Sequence, residues 1–223
     1  MDFKESFEFF TQKVKPARVM AVSKTRSIDE IMDAYNAGYR LFGENHVQEI
    51  VSKFGNGRPV DMELHMIGHL QSNKVNKVVP LVDMVESVDS FSLLEKINAC
   101  SLKNSKITDV LLELNTSGES AKSGFASEKD LLACIAESAD LANIRIRGLM
   151  TVGPVDCAAE DKDRLTFIAF NRLKELFDRC KKTMPPYFDI LSMGMSGDYM
   201  IAVENGSTQV RIGTAVFGER HYD

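Results

Sequence analysis

The chain has 223 residues, 44% of them apolar and 26% charged, with a formal net charge of −5. That composition excludes a disordered chain and is enough for one large domain. A mildly acidic protein lacks the basic face that phosphate backbones require, so neither nucleic acid nor a membrane surface is an expected partner. The four cysteines, Cys100, Cys134, Cys157 and Cys180, are scattered without a C-x-x-C pair. This fits a reduced, cytoplasmic setting better than a disulfide framework or a zinc cluster. The start, Met1-Asp2-Phe3-Lys4-Glu5, is charged and has no following apolar run, so no signal peptide is expected. No stretch approaches the roughly 18 apolar residues of a membrane span.

In chain order, Phe3, Phe7, Phe10 and Val14 form one apolar stripe of a helix that Pro16 ends. A strand is predicted at 19–22, and the capping box Ser27-Ile28-Asp29-Glu30 opens a helix that reaches Gly38. A short strand at 40–42 leads to a helix from about 45 to 54. A strand at 62–67 precedes a helix near 73–79, and a strand at 84–87 precedes one at 91–102. A strand at 110–114 is followed by a helix from about 128 to 141, and a strand at 144–150 by a long helix near 161–182. A strand at 188–191, a short helix near 198–204 and a strand at 208–212 complete the series. Eight strands joined by helical crossovers require a parallel sheet. Eight repeats and an extra N-terminal helix predict an α/β fold, a single (β/α)8 TIM barrel over residues 1–223, with an open doubly wound sheet as the alternative.

In such a barrel chemistry sits at the C-terminal ends of the strands. Lys24 follows the apolar run Val19-Met20-Ala21-Val22-Ser23. A lysine at a strand tip becomes a usable amine nucleophile where burial disfavours its charged form, although a solvated loop lysine beside Arg26 has the same local sequence. The segment from Leu191 to Asp198, with Ser192, Met193, Gly194 and Ser196, and the run Arg211-Ile212-Gly213-Thr214 follow the last two strands. Small residues there let backbone N–H groups approach an anion, and these loops commonly hold phosphate in barrel enzymes, though turn and cap chemistry uses the same residues. Gly43-Glu44-Asn45-His46, Gly68-His69, Asn115 and Met150-Thr151 are further strand tips. His65 and His69 have i, i+4 spacing, but Gly68 and a strand-like context argue against a metal site.

Five stretches together resemble the pyridoxal phosphate homeostasis protein family. They are Ala21-Val22-Ser23-Lys24-Thr25, Gly43-Glu44-Asn45 with Val47-Gln48-Glu49, the run from Ile67 to Lys74, Leu191-Ser192-Met193-Gly194-Met195-Ser196, and Val210-Arg211-Ile212-Gly213-Thr214-Ala215. The resemblance implies a barrel like the N-terminal domain of alanine racemase, with pyridoxal 5′-phosphate on Lys24 as an internal aldimine. It implies Ser196, Gly213 and Thr214 at the phosphate, with Ser192, Met193 and Gly194 in the same segment. It also implies Arg211 near the pyridine nitrogen, and Asn45 and His69 near the cofactor face. The chain departs from the family pattern with His46 in place of an arginine and Leu64 in place of a tryptophan.

A permanently protonated arginine would donate to an unprotonated ring nitrogen and weaken the electron sink that transamination needs. Racemisation needs a second acid or base, and alanine racemases take one from a C-terminal domain for which the chain has no room; His69 is the remaining candidate. The expectation is therefore a monomeric carrier or buffer of pyridoxal 5′-phosphate, without robust catalysis, that can hand the cofactor to apo-enzymes. A racemase using Lys24 and His69, and a Schiff-base sugar-phosphate aldolase, are the alternatives.

Overall fold

The computed structural model describes residues 1–119 and 122–218. Helix α1 (Phe3–Lys13) starts with a capping box in which Asp2 and Glu5 bond each other's backbone N–H. Strand β1 (Arg18–Val22) follows, then α2 (Ile28–Asn36), whose capping box is the predicted pair Ser27 and Glu30. The next units are β2 (Leu41–Glu44) with α3 (Val47–Phe54), and β3 (Glu63–Met66) with the short α4 (Val75–Val78). After them come β4 (Met84–Val88) with α5 (Phe91–Lys103), and β5 (Thr108–Glu113) with α6 (Glu128–Glu137). The last are β6 (Ile144–Met150) with α7 (Lys162–Lys181), β7 (Ile190–Met195) with α8 (Tyr199–Glu204), and β8 (Gln209–Ile212) with α9 (Thr214–Phe217).

The eight strands pair in sequence order, and β8 returns to β1, closing a parallel barrel. This is the expected fold, and closure removes the sheet edges that the open alternative would leave. The N-terminal helix lies across the helical ring: Phe3 meets Phe217 of α9, Phe7 meets Tyr39 and Phe10 meets Tyr199 of α8, all edge-on. Outward strand side chains and the inner helix faces form the main core, with Phe42, Leu64, Val110, Leu149, Phe170, Leu173, Phe188 and Val210 among its members. A second cluster, Met84, Leu111, Met150 and Ile190, with Val152 packed on it, fills part of the barrel interior.

The helix expected near 73–79 is broken into a 3-10 turn (Ser72–Lys74), α4 and a second 3-10 turn (Val79–Leu81). Pro80 accounts for the end of α4, since it has no N–H to continue the ladder. Strand β7 runs four residues beyond its expected end at 191, so Ser192, Met193 and Gly194 belong to the strand rather than to the loop. Gly194 permits this, because it takes φ +94 and a Cβ there would lie 2.5 Å from the Cβ of Ala202. Among the described residues, no helix is long and apolar enough to cross a membrane.

Candidate functional site at the barrel mouth

Lys24 lies two residues past the end of β1, in a turn that neighbouring side chains hold from several directions. The Ser23 hydroxyl donates to the buried Glu44 carboxylate at 2.7 Å. Lys53 of α3 donates to the Ser23 carbonyl at 3.0 Å, to Glu44 at 2.9 Å and to Glu49 at 2.6 Å. Glu49 in turn accepts the Thr25 N–H at 2.7 Å, which secures Thr25 in the left-handed conformation at φ 65. Burial pushes the Glu44 carboxyl up against the pull of Lys53, whereas Glu49 stays below its ordinary value because Lys53 and the Thr25 N–H outweigh its burial. The residue at the centre of this clamp is the lysine.

Lys24 lines a cavity of about 230 Å³ with Val22, Asn45, Ser196, Gly197, Arg211, Gly213 and Thr214. Both loops singled out in the sequence therefore reach the same space, and the Gly213 N–H donates to the Ser196 hydroxyl at 3.2 Å, joining them. Gly197 has open space where a Cβ would stand, so the backbone there is bare toward a ligand. Arg211 is 4% exposed; its Nη1 donates to Ser192 at 2.7 Å and its Nη2 to the Thr151 carbonyl at 2.7 Å. Burial lowers its pKa from the ordinary value, opposed by Glu86, Asp198 and Glu113. A guanidinium has five N–H groups, so donors remain for a further acceptor. The buried Oδ1 of Asn45, on the same wall, has no hydrogen-bond partner among the described residues.

Of the other expected residues, Ser192 lies beneath the cavity, as the bridge between Arg211 and Glu86. Met193 packs into the main core, and Gly194 against α8. His69 lines an adjoining basin, with its ring 54% exposed and its Nδ1 3.2 Å from Asp89.

Beneath Arg211 a column of polar side chains, none of them singled out as a network in the sequence, descends through the barrel. The Ser192 hydroxyl and the Gln209 amide donate to opposite oxygens of the buried Glu86, at 2.7 and 2.6 Å. Glu86 hydrogen-bonds His65 Nδ1 at 2.6 Å, His65 Nε2 meets Glu63 at 2.8 Å, and Glu63 pairs with Arg18. Burial disfavours a charged His65, yet the two glutamates outweigh it and raise its pKa to about 9. Burial likewise opposes ionisation of Glu63, and His65 and Arg18 prevail, holding it down to about 2. The available signal was three ionisable residues inside strands that read as buried, since such groups are rarely buried unless paired.

The cavity can accept an anionic group on the small loops after β7 and β8, a ring acceptor at Arg211 and a donor at Asn45, with a primary amine within its wall. Those features fit pyridoxal 5′-phosphate.

The model of the family "Alanine racemase, N-terminal domain" matches residues 2–221. A protein of Vibrio cholerae named pyridoxal phosphate homeostasis protein is 42% identical, covering 92% of this chain and 86% of its own length. The human protein of the same name is 39% identical over 92% of this chain and 77% of its own. The solved structure of PipY from Synechococcus elongatus with pyridoxal phosphate bound superposes with a TM-score of 0.85 at 32% identity, covering 97% of this chain and all of that one. Alanine racemase from Streptomyces coelicolor, at 16% identity and a TM-score of 0.78, shares the fold over 58% of its length. On its sequence and its fold, the chain belongs to the pyridoxal phosphate homeostasis protein family.

Proposed function

We propose that this chain binds pyridoxal 5′-phosphate covalently through Lys24 and acts in cofactor homeostasis, holding the reactive aldehyde and releasing it to cofactor-free enzymes. The observation that carries the reading is the convergence of a clamped strand-tip lysine, two small-residue loops and a buried arginine on one cavity. When bound, the cofactor supplies an aldehyde carbon that an amine captures reversibly and a ring that can delocalise electrons. Ser196, Gly197, Gly213 and Thr214 would hold its phosphate through hydroxyl and backbone donors, at the place where barrels commonly bind that group. Arg211, protonated and fixed by Ser192 and Thr151, would donate to the ring nitrogen and keep it unprotonated, which disfavours carbanion chemistry. Asn45 would accept from a ring substituent. This arrangement suits retention more than turnover.

The test is reduction with borohydride followed by peptide mapping. The wild type should carry the reduced adduct on Lys24, and Lys24→Ala should carry none while keeping a cooperative unfolding transition. An adduct on Lys53 or Lys122 instead would remove the assignment. Chiral analysis of amino acids incubated with the loaded protein separates the carrier from a racemase: a rate above that of free cofactor, lost in His69→Ala with binding intact, would establish the enzyme.

A further inference from the structure

The mouth holds a second basin of about 280 Å³, and Asn45, Ile67 and Val152 line both this space and the Lys24 cavity. Its remaining wall includes Gly68, His69, Glu113, Asn115, Lys122 and Thr151. Gly68 makes the shape possible, because a Cβ there would lie 2.3 Å from the Asn45 carbonyl oxygen. Glu113, the last residue of β5, is only 7% exposed. Among the described residues no hydrogen bond reaches its carboxyl: burial acts on it, together with the charges of Arg211, Asp89 and Lys122.

Among the described residues, the two cations that act on Glu113 are held elsewhere. Arg211 is bound to Ser192 and Thr151. Lys122 donates to the Gly153 carbonyl at 2.6 Å and to Ser117 at 3.2 Å, and pairs with Glu119. His69 faces Asp89. A buried carboxyl without a partner is costly, and its burial raises its pKa to about 7. The orphaned Asn45 Oδ1 lies on the wall shared with the first cavity. The basin thus contains a carboxyl that meets no N–H donor among the described residues. Among the described residues, no group of three His, Cys, Asp or Glu makes a metal set around it. A compact organic cation with several N–H groups matches that carboxyl, and the exposed ring of His69 on the same wall can meet a carboxylate at its other end.

We propose that this second basin binds a small amino acid, with its ammonium group on the Glu113 carboxylate and its own carboxylate toward His69. The site rests on the proposed cofactor reading for its purpose only: an amine seated beside Lys24 is the natural competitor for a carbonyl held there, and so a signal for release.

The experiment titrates the cofactor-loaded protein with glycine, N,N,N-trimethylglycine and acetate, following backbone amide shifts by NMR. Glycine should shift the amides of Gly68, Asn115 and Thr151 saturably, and the two analogues, one without N–H donors and one without a cation, should not. Glu113→Gln keeps the shape and removes the charge; it should weaken glycine by about tenfold or more, the scale of one charge-assisted hydrogen bond, while borohydride still traps cofactor on Lys24 as in wild type. Equal glycine affinity in the variant, equal response to trimethylglycine or acetate, or no saturable shift in these amides would overturn the proposal. If no cofactor is found on Lys24, the cofactor reading fails, and the same titration of the cofactor-free protein still decides the amino-acid site.

Discussion

Inside the barrel, Met84, Leu111, Met150 and Ile190 pack as an apolar cluster, while Glu63, His65, Glu86, Ser192 and Gln209 form a bonded polar column leading to Arg211. Both are built from strand residues, all buried except the half-buried Glu63, but they answer to different physics. The apolar cluster needs volume and accepts any side chains of similar shape. The column needs every partner present, because removing one leaves a buried charge without compensation. The interior is thus tolerant in one part and unforgiving in the other.

The largest test of that contrast is Glu86→Ala, which strands His65 and Gln209 and should destabilise by about 3–5 kcal/mol in denaturant unfolding. Met84→Leu, in the apolar cluster, should cost less than about 1.5 kcal/mol. Comparable losses in both would show the column to be slack. A pH series sharpens the contrast. The folded pKa of His65, about 9, lies above its ordinary 6.5, so its contribution is complete below about 6.5 and is lost as pH rises through about 9. The folded pKa of Glu63, about 2, lies below its ordinary 4.5, so its contribution is complete above about 4.5 and is lost as pH falls through about 2. Stability should therefore crest between about 4.5 and 6.5, and a profile flat from there to about 9 would contradict a charged His65. The third test is Glu113→Gln. A carboxyl raised from 4.5 to about 7 by burial costs the folded state stability as pH rises through that range. The variant should thus melt higher than wild type above about pH 7 and level with it below about 4.5; a lower melting temperature at high pH would mean that Glu113 has a partner.

Strand and helix periodicity made the eight repeats legible, and two small-residue loops after the last strands marked one wall of the Lys24 cavity. Lys24 was legible by its place at a strand tip. The end of β7 was missed because Ser192-Met193-Gly194 reads as a turn, whereas Ser192 is held within the barrel by Glu86 and Arg211. The column and the clamp on Lys24 were illegible for a related reason. Glu86 and Ser192 are 106 residues apart, and Lys53 reaches back 30 residues to Ser23. Only barrel closure and strand register bring such pairs together, and no local pattern encodes them. Glu113 looked like the polar end of an ordinary strand, and its isolation depends on where Arg211 and Lys122 are spent.

Glu119, which pairs with Lys122 at the second basin, also accepts the N–H groups of Val155 and Asp156, at 3.0 and 2.6 Å, and so ties that wall to the loop bearing Cys157. Cys100, Cys134 and Cys180 are buried, and burial raises all three thiols, Cys134 to about 12, whereas Cys157 is partly open. The protein therefore carries its own reporter. A maleimide dye added to the unmodified chain should attach at Cys157 alone, and its emission would follow, residue by residue along that tether, what enters or leaves the basin.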